Sequence, residues 1–391
     1  MPAPLEVLLA FLRLGITSFG GPIAHLGYFR TEFVVRRRWL DDQAYSDLVA
    51  LCQFLPGPAS SQVGYSIGLV RGGYWGGLAA WVGFTLPSAI VMVAFAYGVR
   101  TLDSASALGA LHGLMLVAVA VVAQAVIGMA RTLCPDLPRA AIAVIAAFLA
   151  LSGTGSIGQL AALSLGALIG LWRIRDRASS AAWTVTVPVS RRVGILALIV
   201  FAGLLVGLPI VRHLTDSTRI ALLDAFYRSG ALVFGGGHVV LPLLREALVV
   251  PGFTSDSTFL AGYGAAQAVP GPLFAFAAYL GAVAGTPPSG LVGACIGLVG
   301  LFLPGLLLVT GILPFWISYR DEPRVQAAMR GAGAAVVGLL AAALYDPVWT
   351  RSIHSPVDIG IALSGLLLLT VGRTPPVVVC ALSAMAGAAL A

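Results

Sequence analysis

Apolar runs of the length needed to cross a bilayer follow one another along almost the whole chain. A transmembrane helix needs about 20 predominantly apolar residues. Runs of about this length or slightly shorter lie at 5–27, 44–70, 74–98, 106–130, 139–153, 156–172, 193–211, 220–244, 258–284, 289–316, 326–345, 356–372 and 375–390. Only 10% of the 391 residues are charged, too few to cover a soluble surface of this size. We predict an all-α integral membrane protein, a polytopic helical bundle of about 12–13 membrane segments.

One polar connector interrupts this pattern. Residues 173–192 combine arginine, aspartate and serine without a long apolar run. We predict three parts: an N-terminal repeat at 1–172, a polar cytoplasmic linker at 173–192, and a C-terminal repeat at 193–391 that includes one extra linking span.

The two halves carry the same short motifs in the same order. Phe, Arg, Gly, Phe, Gly and Gly recur at identical spacing in the first motif, and proline-containing motifs follow at matching distances. The matched segments are FLRLGITSFGGP (11–22) with FYRSGALVFGGG (226–237), QFLPGP (53–58) with QAVPGP (267–272), and FTLPS (84–88) with LFLPG (301–305). Seven predicted segments separate equivalent points, and an odd number places the copies upside down to one another. Inverted repeats with Gly/Pro-broken helices are typical of secondary transporters that bind their substrate at the midplane.

The FGG motifs predict two helix breaks at membrane depth. Paired glycines accept positive φ and expose backbone N–H groups, and Pro22 breaks helix continuity after the first pair. The helix that begins after a break favours an anion at its N-terminus. Close helix packing through small residues is the alternative interpretation.

The QxxPGP motifs predict a second pair of breaks. Neither proline donates a hydrogen bond, and the residue before each is pushed towards an extended conformation. The freed carbonyls and the amides of Gln53 and Gln267 are the polar groups at these breaks. A kink with a structural role only is the alternative.

Ionisable residues near the breaks are the candidate charges. Arg13 and Arg228 suit a dianion as counter-charges, or they extend to an interface. Glu32 and Glu246 either pair with arginines or carry a coupling proton, and each also fits as an interfacial acid. His25 and His238 titrate near neutral pH but occupy non-equivalent positions, and a structural role is open for both.

The predicted site has two parts. The substrate-binding positions are Arg13, Gly20, Gly21, Pro22, Gln53, Pro56, Gly57, Pro58, Arg228, Gly235, Gly236, Gly237, Gln267, Pro270, Gly271 and Pro272. The coupling or supporting positions are His25, Arg30, Glu32, His238 and Glu246.

Arginine distribution predicts a cytoplasmic N-terminus, because more arginines fall on that side of the predicted spans. The cluster in RRRWLDD (36–42) argues the other way unless the first two segments are re-entrant. We interpret it as an interfacial anchor, with Asp41 or Asp42 capping the next helix and Asp256 as a second cap.

No enzyme chemistry is predicted. Four isolated cysteines and five scattered histidines form no metal-binding or catalytic pattern, so we expect no catalytic residue, no metal and no cofactor. The net charge of +7 comes from arginines between apolar runs and does not indicate nucleic-acid binding.

The segments SFGGPIAHLGYFRTEFVVRRRWLDD, QFLPGP, GALVFGGGHVVLPLLREALV and QAVPGP resemble the signatures of the chromate ion transporter (CHR) family, in its long two-domain form. The resemblance covers essentially the whole chain. It implies two homologous halves of opposite orientation in the bacterial cytoplasmic membrane. It also implies sensitive positions at Gly20, Gly21, Pro22, Arg30, Glu32, Trp39, Gln53, Pro56, Gly57 and Pro58. The second half departs at Gly237, where the first has Pro22.

The function implied by the resemblance is export of chromate driven by the proton motive force, which confers chromate resistance. Sulfate is a tetrahedral dianion of similar size, so discrimination by fit is weak and competition is expected. The alternatives are an importer or exchanger of sulfate or another oxyanion, a passive anion channel, and a membrane-bound reductase. Whether the chain forms a homodimer is left open.

Overall fold

The computed structural model describes residues 3–18, 21–99, 105–152, 155–174, 189–233, 240–285, 287–316 and 322–390, and these are helical with connecting turns. The helices, numbered here in chain order, are α1 Ala3–Thr17, α2 Gly21–Phe29, α3 Asp42–Phe54, α4 Ala59–Val99, α5 Ala105–Leu133, α6 Leu137–Leu151, α7 Gly155–Arg173, α8 Arg191–Leu214, α9 Thr218–Leu232, α10 Val240–Leu248, α11 Asp256–Ala268, α12 Phe276–Val283, α13 Gly290–Ile312, α14 Pro323–Ala343, α15 Pro356–Thr370 and α16 Pro376–Leu390. Within the described residues, five helical stretches are long and apolar enough to cross a membrane: Ala59–Gly98, Leu108–Arg131, Arg191–Leu214, Gly290–Ile312 and Pro323–Ser352. The prediction of an all-α membrane bundle with broken helices is confirmed.

The first predicted span is a helical hairpin. α1 has 15 residues, about 22 Å of helix, which is too short to cross a bilayer. After the break α2 and its π-helical continuation Arg30–Arg36 run back beside α1. The ring of Phe11 therefore contacts Phe33 at 4.7 Å, and Arg37 reaches Glu6 at 3.5 Å. The chain enters and leaves at the same end of the bundle, which we call the Glu6 end.

The second predicted span is a hairpin too. α3 leads in from Asp41, whose side chain accepts a 2.7 Å hydrogen bond from the Ala44 N–H and so caps the helix as predicted. The PGP segment ends α3. The part of α4 that precedes its kink, the first arm, returns to the Glu6 end, where Arg71 pairs with Glu6 at 2.9 Å. α4 then kinks sharply, because Gly73 has a φ of +62°. Its second arm packs back on the first and crosses the bundle.

The second half builds two matching hairpins from the opposite end. α9 and α10 form one, and α11 and α12 the other. Arg245 at the end of α10 pairs with Asp256 at the start of α11 at 2.8 Å, so both hairpins open at one end, the Asp256 end. The hydroxyl of Tyr279 donates to the Thr258 carbonyl at 3.0 Å and joins α12 to α11. The cap of α11 is Ser255, which accepts from the Thr258 N–H; the predicted capping residue Asp256 forms the ion pair instead.

Contacts along α13 identify the two ends. Gly290 at its start lies against the hydroxyl of Tyr97, at the far end of α4. Gly311 near its end packs on Gly194, at the start of α8. α8 therefore starts at the Glu6 end and delivers the chain to the Asp256 end, where α9 begins.

The two copies are inverted, as predicted, although the path of the chain between them differs from the prediction. The second arm of α4, α5 and α8 each run from one end to the other, while the α6–α7 pair goes out and returns. The expected single spans 5–27, 44–70, 220–244 and 258–284 are hairpins that do not cross, because their Gly/Pro breaks let the chain reverse. The number of complete crossings between the copies remains odd.

A charged network at the Glu6 end contains the predicted anchor. Glu32 accepts from Arg36 at 2.9 Å and from Arg37 at 2.6 Å. The guanidinium carbons of Arg37 and Arg71 each lie 5.3 Å from the ring centre of Trp39. The arginine cluster thus lies at the same end as Glu6, which is the re-entrant arrangement that the sequence left open.

Candidate functional site

The tips of the hairpins meet inside the bundle through two backbone hydrogen bonds. The N–H of Gly57, in the first PGP, donates to the carbonyl of Val233 at 2.7 Å. The N–H of Gly271, in the second PGP, donates to the carbonyl of Ser18 at 2.9 Å. Ser18 and Val233 are equivalent residues, each immediately before an FGG motif. Each PGP segment therefore bonds to the residue that precedes the FGG motif of the other half.

Both of these glycines have a backbone conformation that disfavours a side chain. Their φ angles are +124° at Gly57 and +97° at Gly271. A Cβ on Gly57 would lie 2.9 Å from the α-carbon of Gly305, and one on Gly271 would lie 3.0 Å from Oγ of Ser88. Gly305 and Ser88 are equivalent positions in the third pair of matched segments, so all three repeated motifs converge on this contact.

A small cavity lies beside the Gly271–Ser18 contact. Its volume is about 60 Å³, and its lining comprises Gly21, Val121, Gln124, Ala266, Gln267, Val269, Gly271, Leu273 and Pro376. Gly21 begins α2 with a φ of +76°, so the start of a helix borders the cavity. Nε2 of Gln267 is buried and makes no hydrogen bond to any described residue. The cavity thus combines a helix N-terminus with an available amide donor.

The structure brings several predicted residues to the hairpin tips. Pro22 lies in the first turn of α2, and His25 follows in the second turn, fully buried. The residues of both PGP segments line the contact itself. Gln53, in contrast, is exposed at the end of α3. The predicted positions Gly20, Gly235, Gly236, Gly237 and His238 lie outside the described residues.

The two predicted counter-charges have different surroundings. Arg13 is exposed on the outer face of α1, and no described carboxylate pairs with it. Arg228 donates to the carboxylate of Asp224 at 2.6 Å, and Arg212 contacts the same oxygen at 3.4 Å. Asp224 is fully buried, so the charge of Arg228 is already offset within α9.

The other predicted supporting charges lie towards the ends of the bundle. Arg30 pairs with Asp42 at 2.7 Å on the surface, and Glu32 belongs to the Glu6-end network. Glu246 is half-buried in α10, within electrostatic reach of Arg245. The described residues contain no group of three His, Cys, Asp or Glu side chains placed to hold a metal.

Gln62 is a contact residue that the sequence analysis missed. Its Nε2 donates to the Pro56 carbonyl at 2.9 Å and to the Gly305 carbonyl at 3.1 Å. It thereby ties the first PGP break to α13 of the other half. The available signal was its position four residues after the PGP motif, where the second half has Phe276.

Comparisons with known proteins agree with this arrangement of two matched halves. The sequence matches the family described as "Chromate transporter" over residues 5–171 and again over 220–388. It is 27% identical to the chromate transport protein of Pseudomonas aeruginosa, over 94% of this chain and 88% of that protein. It is 27% identical to a probable chromate transport protein of Synechococcus elongatus, over 92% and 87% of the two chains. The chromate transport protein of Cupriavidus metallidurans is 25% identical over 93% and 86%. No solved structure shows significant similarity to the chain. The two matches to one family profile, one in each half, show that this chain belongs to the chromate transporter family.

Proposed function

We propose that the protein is a secondary active transporter that exports chromate from the bacterial cytoplasm, driven by the proton motive force. The observation that carries this proposal is the reciprocal contact of the hairpin tips, Gly57 to Val233 and Gly271 to Ser18. Inverted repeats whose broken helices meet inside the bundle are the architecture of alternating access. Membership of the chromate transporter family supports chromate as the substrate.

The geometry of the tips supports a binding region that is reachable from either end in turn. The first pair of hairpins opens at the Glu6 end and the second at the Asp256 end. Rocking of one half against the other would loosen the tip contacts on one side at a time. The two backbone hydrogen bonds, the Gln62 bridge and the 3.1 Å contact between the hydroxyls of Tyr65 and Thr310 would rearrange, which suits a movement of packed units better than a permanently open channel.

The charges near the tips support attraction of an anion. The α2 N-terminus carries a partial positive charge next to the cavity. Arg13 has no described ion-pair partner and remains the better candidate counter-charge, whereas Arg228 is engaged by Asp224. A proton that returns as chromate leaves requires a titratable group, for which His25, Glu32, His238 and Glu246 remain the proposed candidates.

The orientation proposed is a cytoplasmic N-terminus in the inner membrane. The arginines of the 36–38 cluster and Arg71 lie at the end where the chain begins. An excess of arginine marks the cytoplasmic side of membrane proteins, and the position of this cluster supports the proposed orientation. Homodimer formation remains a proposal that a mass measurement in detergent or nanodiscs would decide.

Energised inside-out vesicles test the transport proposal. Vesicles that contain the protein should accumulate radiolabelled chromate when respiration acidifies their interior, and an uncoupler should abolish the accumulation. Excess sulfate should compete. Saturable uptake that ignores the uncoupler would indicate a passive pathway instead, and no uptake by correctly inserted protein would contradict export. Uptake into right-side-out vesicles on energisation would favour the importer.

A further inference from the structure

The two halves differ systematically in polarity at the hairpin tips. At five matched positions the first half has Ser18, His25, Ser60, Gln62 and Thr85, and the second half has Val233, Val240, Phe274, Phe276 and Phe302. All ten residues are at least nine-tenths buried. The fold repeats the backbone in both halves, yet at these five positions hydrogen-bonding side chains occur in the first half alone.

The polar side chains of the first half lie between two helix starts. α2 begins at Gly21 and α4 at Ala59, and His25 joins them because its Nδ1 lies 3.4 Å from Oγ of Ser60. The ring of His25 also packs edge-on against Phe84, with 5.1 Å between ring centres, next to Thr85. The N-terminus of each helix favours an anion, and the His25–Ser60 contact links the two helices.

Ser18 belongs to the same region through the tip contact. Its carbonyl accepts from Gly271, whose surroundings include the carbonyl of Phe84 and Oγ of Ser88. Ser88 in turn donates to the carbonyl of Thr85 at 2.9 Å. Ser18 therefore lies at Gly271 together with Ser88, which contacts the Thr85 backbone, while His25 and Ser60 contact each other.

Several of these buried groups make no hydrogen bond to the residues that the structure describes. Oγ of Ser18 and Oγ1 of Thr85 are without a described partner, as are Oγ of Ser61 and Oε1 of Gln62. The ring of His25 lies within reach of the Ser18 backbone. Leaving a buried polar group unsatisfied costs about 1–3 kcal/mol. The His25–Ser60 pair retains one further N–H or O–H group in either direction of its hydrogen bond. If Ser60 donates, Nε2 carries the ring proton; if His25 donates, the Ser60 hydroxyl keeps its own proton free.

The second half has a closed apolar core in the matching place. The rings of Phe274 and Phe302, equivalent to Ser60 and Thr85, lie 5.9 Å apart, and Phe302 also contacts Trp81 at 5.8 Å. Phe276 packs against Phe259 at 5.2 Å. These side chains offer no hydrogen-bond donor to an anion, and their packing resembles an ordinary hydrophobic core.

We infer that each chain binds one tetrahedral oxyanion, in the first half only, through neutral donors. Ser18, His25, Ser60 and Thr85 supply the hydrogen bonds together with the N-termini of α2 and α4. The apolar tips of the second half act as the packed surface against which this site opens and closes. The inference rests on the proposed function and assigns its substrate to residues outside the predicted site, apart from His25.

Equilibrium binding of labelled chromate to the purified full-length protein tests the inference. The double variant Ser60→Ala, Thr85→Val should weaken chromate binding about 100-fold to 10,000-fold, because two hydrogen bonds to a charged ligand are lost. Ser66→Ala is the matched control. Ser66 is equally buried on α4, but its hydroxyl donates to the Gln62 carbonyl at 2.7 Å within the helix, so chromate affinity should stay within about twofold.

A titration of the wild-type protein with labelled chromate measures the number of ions bound per chain. This makes the test independent of whether the variant folds. One chromate per chain is expected, and two per chain would overturn the inference. Wild-type affinity in the folded double variant would also overturn it, while transport in vesicles would leave the proposed function standing. If the wild-type protein neither binds nor transports chromate, the proposed function fails and the inference falls with it.

Discussion

The N–H of Gly57 donates to the carbonyl of Val233 at 2.7 Å, across an interface between two halves of opposite orientation. The equivalent bond from Gly271 to Ser18 repeats the relationship with the halves exchanged. Short helices that end inside a membrane leave backbone groups unsatisfied, which is costly in a bilayer. Pairing each break with a break of the other half offsets part of that cost and holds the helix ends together without a side chain.

Replacing Gly57 by alanine should damage both stability and transport. The φ of +124° is strained for any other residue, and the new Cβ would lie 2.7 Å from Nε2 of Gln62. We expect a loss of about 1–3 kcal/mol of stability and no measurable chromate transport. Thermal unfolding in detergent and vesicle uptake measure the two effects. Gly203→Ala in α8, where nothing lies within 4 Å, is the control and should keep both properties. A Gly57→Ala protein that transports normally would contradict the role given to the tip contact.

The two glutamines near the first PGP break should respond differently to substitution. Gln62→Leu removes the donor to the Pro56 and Gly305 carbonyls and should lower stability by about 1–3 kcal/mol. Gln53→Leu alters an exposed side chain and should change stability by less than about 0.5 kcal/mol. Denaturation midpoints in matched detergent compare them, and an equal effect of the two substitutions would remove the structural role from Gln62.

The sequence could predict the breaks but not their partners. Gly/Pro motifs repeat in register, so the broken helices and the inverted arrangement follow from the residues. The bonds from Gly57 and Gly271 use only backbone atoms and join residues far apart in the chain, so no side-chain pattern signals them. The PGP segment also separates α3 from α4, so the periodicity of one helix does not predict which residues of the other are buried. Gln53 is therefore exposed although it belongs to the motif, and Gln62, outside the motif, is buried. The contrast between Ser60 and Phe274 was present in the sequence, and its meaning required the structure to place both residues at the tips.

Arg13→Ala and Arg228→Ala should affect different properties: the first chromate affinity, the second stability. Arg228→Ala leaves the buried carboxylate of Asp224 with only the 3.4 Å contact to Arg212, so stability should fall by about 1–3 kcal/mol. Adding Asp224→Leu should restore most of that loss. Arg13→Ala should unfold like the wild type and weaken chromate affinity less than the Ser60→Ala, Thr85→Val double variant does, because Arg13 acts through its charge and not through a hydrogen bond to the anion. Unfolding curves and chromate binding separate the two. Unchanged affinity in Arg13→Ala would remove that residue from the substrate path.

Glu32→Gln tests whether this acid anchors the fold or carries a proton. The carboxylate accepts from Arg36 and Arg37, so its loss should lower the melting temperature by a few degrees, on the order of 1 kcal/mol. We expect transport to keep its sensitivity to an uncoupler, because the contacts of Glu32 are those of an anchor at the Glu6 end. Transport that becomes insensitive to the uncoupler in a folded variant would instead make Glu32 the coupling group.

The position of the bound anion tests the central claim most directly. Chromium scatters anomalously, so a diffraction experiment on crystals grown with chromate locates the ion independently of the protein. We predict one chromium peak in each chain, between the first turns of α2 and α4 and within hydrogen-bonding reach of Ser60 and His25. A peak beside Phe274 and Phe302, or only at the arginine network of the Glu6 end, would contradict the account.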